Sequence, residues 1–247
     1  MIGALMIREL TTRFGRENIG FLWIMVEPLL FAGLVGLVWR FMHGPEEHGV
    51  SVIAFVATGY IPLTLFRHAV SRALGIFTAN GSLMYHRQIK ILDFVLVRFL
   101  IEMIGTMMAY VFIATLLIAI GEFPVPHDIG YLLVGFVIYA FFTLSICLMV
   151  APLSEMSEVL EKFMPVTVYI MVPFSGTFTM VSWLAPGAQE IMLYSPPVSA
   201  MELMRYGIFG DRVTPHFDVP YAIGVSMVCM LVGLVLCRRI RKTLVVE

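Results

Sequence analysis

Long apolar stretches alternate with short polar ones at about 20–41, 52–70, 92–120, 130–151, 163–181 and 220–237. The apolar stretches run from 18 to 29 residues, enough for the roughly 20 that carry a helix across a hydrocarbon core about 30 Å thick. Apolar residues run continuously through them instead of alternating with polar ones. That pattern predicts helices and excludes a barrel, since lipid leaves only those two ways to satisfy a backbone. The expected fold is all-α: a single polytopic membrane domain over 1–247 with six transmembrane helices.

Two further segments read as helices that do not span. In residues 1–18, Gly3, Met6, Ile7, Leu10 and Phe14 recur at helical spacing while Arg8, Glu9, Thr12, Arg13, Arg16 and Glu17 fall elsewhere. This predicts an amphipathic helix lying on the cytoplasmic leaflet with its cations near anionic head groups. A disordered basic tail is the alternative, and the periodicity argues against it. Residues 182–219 form the other segment, too long for a hairpin and rich in Trp183, Leu184, Ile191, Met192, Tyr194, Met201, Leu203 and Tyr206. Pro186, Pro196, Pro197 and Pro215 cut it into pieces at about 187–194 and 198–209, each too short to span. The expectation is an outer-leaflet re-entrant helical pair over 182–210 before the last span; an outer amphipathic loop remains open beside it.

Composition agrees with lipid as the main solvent. Of 247 residues, 60% are hydrophobic and 13% charged, against about 25% charged in soluble chains; mean hydropathy is +0.92. Six spans use about 120 residues, which leaves short loops and no room for a soluble catalytic domain. Thirteen of the sixteen basic residues fall in the N-terminal segment, 67–98, the fourth loop and the tail, while Arg40, Arg205 and Arg212 fall on the other side. The positive-inside rule then puts both termini in the cytoplasm. Cys147, Cys229 and Cys237 lie within apolar runs and suggest buried thiols, not a disulfide framework.

Candidate chemistry is sparse. Glu27, followed by Pro28, is the most costly residue to insert, at about 2.5–3.5 kcal/mol for a mid-span charge. It is either a relay group or an interfacial carboxylate paired with a cation, and its position near the cytoplasmic end of the span favours pairing. Arg98 and Glu102, four apart, can neutralise each other on one helix face. The chain has no G-x-x-x-x-G-K-[ST] loop, no G-x-S-x-G elbow and no H-E-x-x-H motif. No histidine spacing suggests a metal site. Aromatics at span ends, among them Trp23, Tyr60, Tyr169, Phe174, Phe178 and Trp183, fit either an interfacial belt or a path on which sugar rings stack. Segment 71–91 sets apolar and aromatic knobs beside basic residues, as a docking element would; a plain positive-inside loop fits as well.

Arg8-Glu9-Leu10-Thr11-Thr12-Arg13-Phe14-Gly15, then Ile19-Gly20-Phe21-Leu22-Trp23 and Glu27-Pro28-Leu29, resemble the N-terminal signature of type-2 ABC exporter permeases, most of all the capsular polysaccharide export permeases. Ser195-Pro196-Pro197 and Glu202-Leu203-Met204-Arg205 are a looser match. The resemblance covers the whole chain. It implies a non-enzymatic transport subunit working as two copies, each on a separate cytoplasmic ATP-binding subunit that holds ATP and Mg. No cofactor would bind this chain directly, and no nucleic acid is implied. A coupling helix would lie at 76–88, presenting Ile76, Phe77, Leu83, Met84 and Tyr85. The substrate would be a lipid-linked acidic capsular polysaccharide moved across the bacterial inner membrane, with periplasmic and outer-membrane export proteins as further partners. Arg13, Arg16, Arg72, His86, Arg87 and Lys90 would form an electropositive entrance, an assignment resting on charge and side; solvated positive-inside residues are the alternative. Trp23, Glu27, Tyr60, Tyr169, Phe174, Phe178 and Trp183 are the channel or gate candidates. Permeases for O-antigen or teichoic acid fit the same class. An ATP-independent secondary carrier is the alternative of another class, although no inverted repeat relates residues 1–120 to 121–247.

Overall fold

The computed structural model describes the backbone of residues 2–14, 20–81 and 90–244, with side chains over 2–12, 26–81 and 90–241. Leu83, Met84, Tyr85, His86, Arg87 and Arg16 therefore lie outside the described residues, as do the side chains of Arg13 and Trp23.

Helix forms wherever the apolar runs demand internal backbone satisfaction. Helix α1 (Ile2–Phe14) precedes α2 (Gly20–His43), which a two-stranded hairpin (Glu46–Glu47 with Val50–Ser51) joins to α3 (Val52–Ala73). A single-turn α4 (Ile76–Ala79) follows, then α5 (Ile91–Ile120), α6 (Ile129–Met156), α7 (Glu158–Ile170), α8 (Pro186–Leu193), α9 (Pro196–Phe209) and α10 (Val219–Leu244). Among the described residues five of these, α2, α3, α5, α6 and α10, are long and apolar enough to cross a membrane.

Helix α3 sits at the centre, buried along nearly its whole length from Val52 to Ala73. The outer helices turn apolar side chains away from it, with Leu34, Val111 and Val235 more than half exposed. In lipid such a surface carries no hydrophobic penalty, so packing rests on close helix contact. Gly135 shows how close: a Cβ there would lie 2.7 Å from Met204 Cγ and 2.9 Å from the Ala200 carbonyl, so only glycine lets α6 and α9 meet. Asp128 caps α6 by accepting the N–H groups of Gly130 at 2.6 Å and Tyr131 at 3.3 Å. An Arg40–Glu122 ion pair ties the end of α2 to the turn after α5.

Two expectations need correcting. The stretch 163–181 is not one helix: α7 ends at Ile170, and a 3-10 turn at Pro173–Ser175, Gly176 at φ 71° and a second turn at Val181–Trp183 follow. Thirteen residues of helix reach about 20 Å, short of the hydrocarbon thickness. Nor do Arg98 and Glu102 pair. Arg98 instead reaches Glu9 at 3.0 Å and the Arg72 carbonyl at 2.8 Å, while Glu102 takes Arg72 Nε at 2.7 Å. Neighbouring helices offer better-placed partners than the next turn of the same helix.

Candidate functional site

Polar groups inside the helical bundle gather in three places. The first lies at the end of α3 nearer α4. His68 stands between two carboxylates, with Nε2 3.2 Å from Glu27 Oε1 and Nδ1 3.7 Å from Glu102 Oε2. Arg72, one turn on, closes the network through Glu102, which is fully buried. Glu27 thus has a partner on α3, as its position near a span end suggests. Arg98 and Glu9 extend the network to α1.

The second place lies further along α3. Tyr60 is buried and stacks on Phe31 of α2, with ring centroids 5.5 Å apart and planes 3° from parallel. Arg67, seven residues later on the same face, donates to the Tyr60 hydroxyl at 3.3 Å and to the Tyr169 hydroxyl of α7 at 3.0 Å. Its guanidinium also lies 4.9 Å from the Tyr169 ring centroid. Tyr169 is 61% exposed, so this side of the cluster is open.

The third is an irregular-backbone clasp. Arg205 of α9 is fully buried and donates to the carbonyls of Gly176, Thr177 and Thr179, the Thr179 bond being 3.0 Å. It also lies 3.8 Å over the Phe55 ring. One turn away, Glu202 accepts the N–H groups of Val181 at 3.0 Å and His216 at 3.1 Å. The pair therefore satisfies backbone that the break after α7 leaves without helical partners. Gly59 of α3 makes room: a Cβ there would lie 2.7 Å from Arg205 Nη2 and against the Thr177 carbonyl.

The remaining site candidates fall apart from one another. Trp183 packs between His48 and Phe55, each 4.6 Å away between ring centroids. Phe178 meets Trp39 at 5.7 Å, and Phe174 is 45% exposed. Ile76 and Phe77 are wholly buried in the main core, so they anchor α4 and present no surface. The α4 turn is also stitched to the last turn of α6, through Gly75 N to Ser154 Oγ at 3.3 Å and Thr78 Oγ1 to Glu155 at 2.5 Å. Arg72 is engaged by Glu102, and Lys90 is exposed at the start of α5. Among the described residues no group of three metal-ligating side chains comes together.

Sequence reasoning passed over Arg67 as one more positive-inside cation; its seven-residue spacing from Tyr60 is the signal that places them on one face. It took Glu202 and Arg205 only as a motif, though their three-residue spacing already sets both on one side of α9.

A family model described as ABC-2 type transporter matches residues 1–209. The chain is 37% identical over 242 residues to the capsule polysaccharide export inner-membrane protein CtrC of Neisseria meningitidis serogroup B, covering 98% of this chain and 91% of that protein. To the capsule polysaccharide export inner-membrane protein BexB of Haemophilus influenzae it is 34% identical over the same span and the same shares. The polysialic acid transport protein KpsM of Escherichia coli is 23% identical over 241 residues, 96% of this chain and 92% of that protein.

Proposed function

The chain belongs to the ABC-2 type transporter family, and from that premise we propose that it is the inner-membrane permease subunit of a capsule polysaccharide exporter. The observation that carries this is similarity of 34–37% identity along nearly the whole chain to CtrC and BexB. The capsule names of these relatives favour this cargo over O-antigen or teichoic acid. In this reading the chain is not an enzyme: it has no nucleotide-binding motif, and ATP with Mg belongs to two copies of a cytoplasmic partner.

The finer proposal is a dimer of this chain, both termini cytoplasmic, exporting a lipid-linked acidic polymer towards periplasmic and outer-membrane partners. Thirteen of sixteen cations on one side support that orientation. A fifth crossing is made jointly by α7 and the irregular segment that Arg205 clasps, a form of backbone tolerated at membrane depth only when protein encloses it. Helices α8 and α9 then dip into the outer leaflet, and α1 lies along the inner one, supported by the exposure of Ile7 beside partly covered Leu5 and Leu10. Coupling to the ATPase runs through 76–88, with Ile76 and Phe77 as its buried root and Leu83, Met84 and Tyr85 as the contact.

The test is complementation. Cells lacking this chain accumulate polymer inside, and its return restores surface polymer only with a catalytically intact ATPase encoded alongside. Export without that ATPase overturns the proposal in favour of a secondary carrier.

A further inference from the structure

Arg67 raises a physical problem that the transport reading does not by itself answer. A guanidinium within a span must face protein or water, not lipid. Among the described residues no carboxylate lies within ion-pair distance of it; its hydrogen bonds go to the two tyrosine hydroxyls of Tyr60 and Tyr169. Glu27, the acid on the adjoining helix, is held by His68 instead. Two neutral phenols are its contacts, so no counter-ion touches the charge.

Its direction adds to the case. Arg67 lies six residues from the α4 end of α3, about 9 Å along the axis. A side chain seeking head groups would extend that way. Instead the guanidinium folds back towards Tyr60, two turns deeper, and is braced from the side by Tyr169 of α7. The two phenols fix the planar fork while Arg67 stays half-buried and Tyr169 61% exposed. A braced, part-exposed guanidinium with donors to spare is built to take an anion bidentately. The exposed tyrosine ring beside it gives a sugar a face to stack on.

We propose that Arg67, held by Tyr60 and Tyr169, is a transient binding step for the carboxylate or phosphodiester groups of the polymer as it crosses the membrane. Hydrogen bonds with the phenols position the cation when no anion is present, and a passing anion exchanges with them. The site discriminates charged polymers from neutral ones without needing a particular sugar. It rests on the transport reading, and the same charge chemistry could be met by a lipid head group, so the test separates these.

The permease is purified with its ATPase and placed in nanodiscs, and binding of a short polysialic acid oligomer is compared with that of its neutral methyl ester. Wild type should bind the acid at least tenfold more tightly than the ester. Arg67→Gln should remove that preference, whereas Arg67→Lys, which keeps the charge but loses the fork, should keep part of it, and Tyr169→Phe should weaken acid binding severalfold. Each variant must co-purify with the ATPase at wild-type yield, and Arg67→Lys keeps the question answerable if Arg67→Gln misfolds. An undiminished preference in Arg67→Gln overturns the proposal. So does acid binding that is lost when phosphatidylglycerol replaces phosphatidylcholine in the disc, because the head group is then the ligand. If the wild-type complex restores export in cells yet binds both oligomers equally, the anion step fails and the transport reading stands; if it restores no export, both fall.

Discussion

Replacing Arg205 with Met is the sharpest probe of how the irregular segment after α7 is held. Met keeps much of the side-chain volume and its packing on Phe55 but removes every donor. Three carbonyls, at Gly176, Thr177 and Thr179, lose a charged partner at a site with no exposure. Charge-assisted bonds contribute about 1.5–3 kcal/mol each, yet they are not additive, and Met escapes the cost of burying a cation. Truncating one member of a buried charged network typically costs about 3–5 kcal/mol, and we expect a loss at the lower end of that range. For a domain of this size, each kcal/mol moves the melting point by roughly 2–4 °C, so a drop on the order of 10 °C is expected. The assay is thermal unfolding of the detergent-solubilised protein, followed by the loss of its monodisperse size-exclusion peak. Arg205→Lys should fall between, because one ammonium cannot reach three divergent carbonyls. A Met variant melting with the wild type would show that the clasp does not hold the segment.

Gly59→Ala should cost about 1–3 kcal/mol by overpacking against Thr177 and Arg205, while Gly33→Ala, with open space around it, serves as a neutral control in the same melting assay. Phe77→Ala should cut the yield of folded protein, at about 3–5 kcal/mol for an emptied aromatic site, whereas a change at Tyr85 should leave yield intact and lower polymer-stimulated ATP hydrolysis; equal yields would undo that division. Glu102→Gln should destabilise by about 1–3 kcal/mol, less than the Arg205 change, because the Arg72 side chain is 42% exposed and can turn to water; a melting shift larger than that of Arg205→Met would contradict it.

Much of the fold was legible because lipid imposes one simple rule on long apolar runs. The starts of α2, α3, α5, α6 and α10 fall within one residue of the apolar runs, while α6 and α10 continue five and seven residues past the ends of theirs; the prolines at 186 and 196 open α8 and α9 as their missing donors allow. The fifth stretch misled for a physical reason: Val166, Val168, Ile170 and Met171 are as apolar as any span, and hydropathy does not register that Pro173 and Gly176 break the ladder. Arg98 and Glu102 misled because a four-residue spacing proves proximity only within one helix, and Glu9 and Arg72 arrive from elsewhere in the chain. Phe77 looked like a docking knob because an aromatic beside basic residues is read the same way whether it faces out or in. At Arg67 the sequence carried the charge, but its meaning came only from the two phenols that hold it.

The clasp of Arg205 also bears on how this chain can vary. It touches Gly176, Thr177 and Thr179 only through their carbonyls, atoms that every amino acid supplies. Position 179 can therefore drift through many identities without loosening the contact, and position 176 is restricted by its left-handed backbone at φ 71°, not by the bond it accepts. Position 205 has no such latitude. A saturation library at 179 and 205 should thus show one-sided tolerance: wide at the position being held, and almost none at the one that holds.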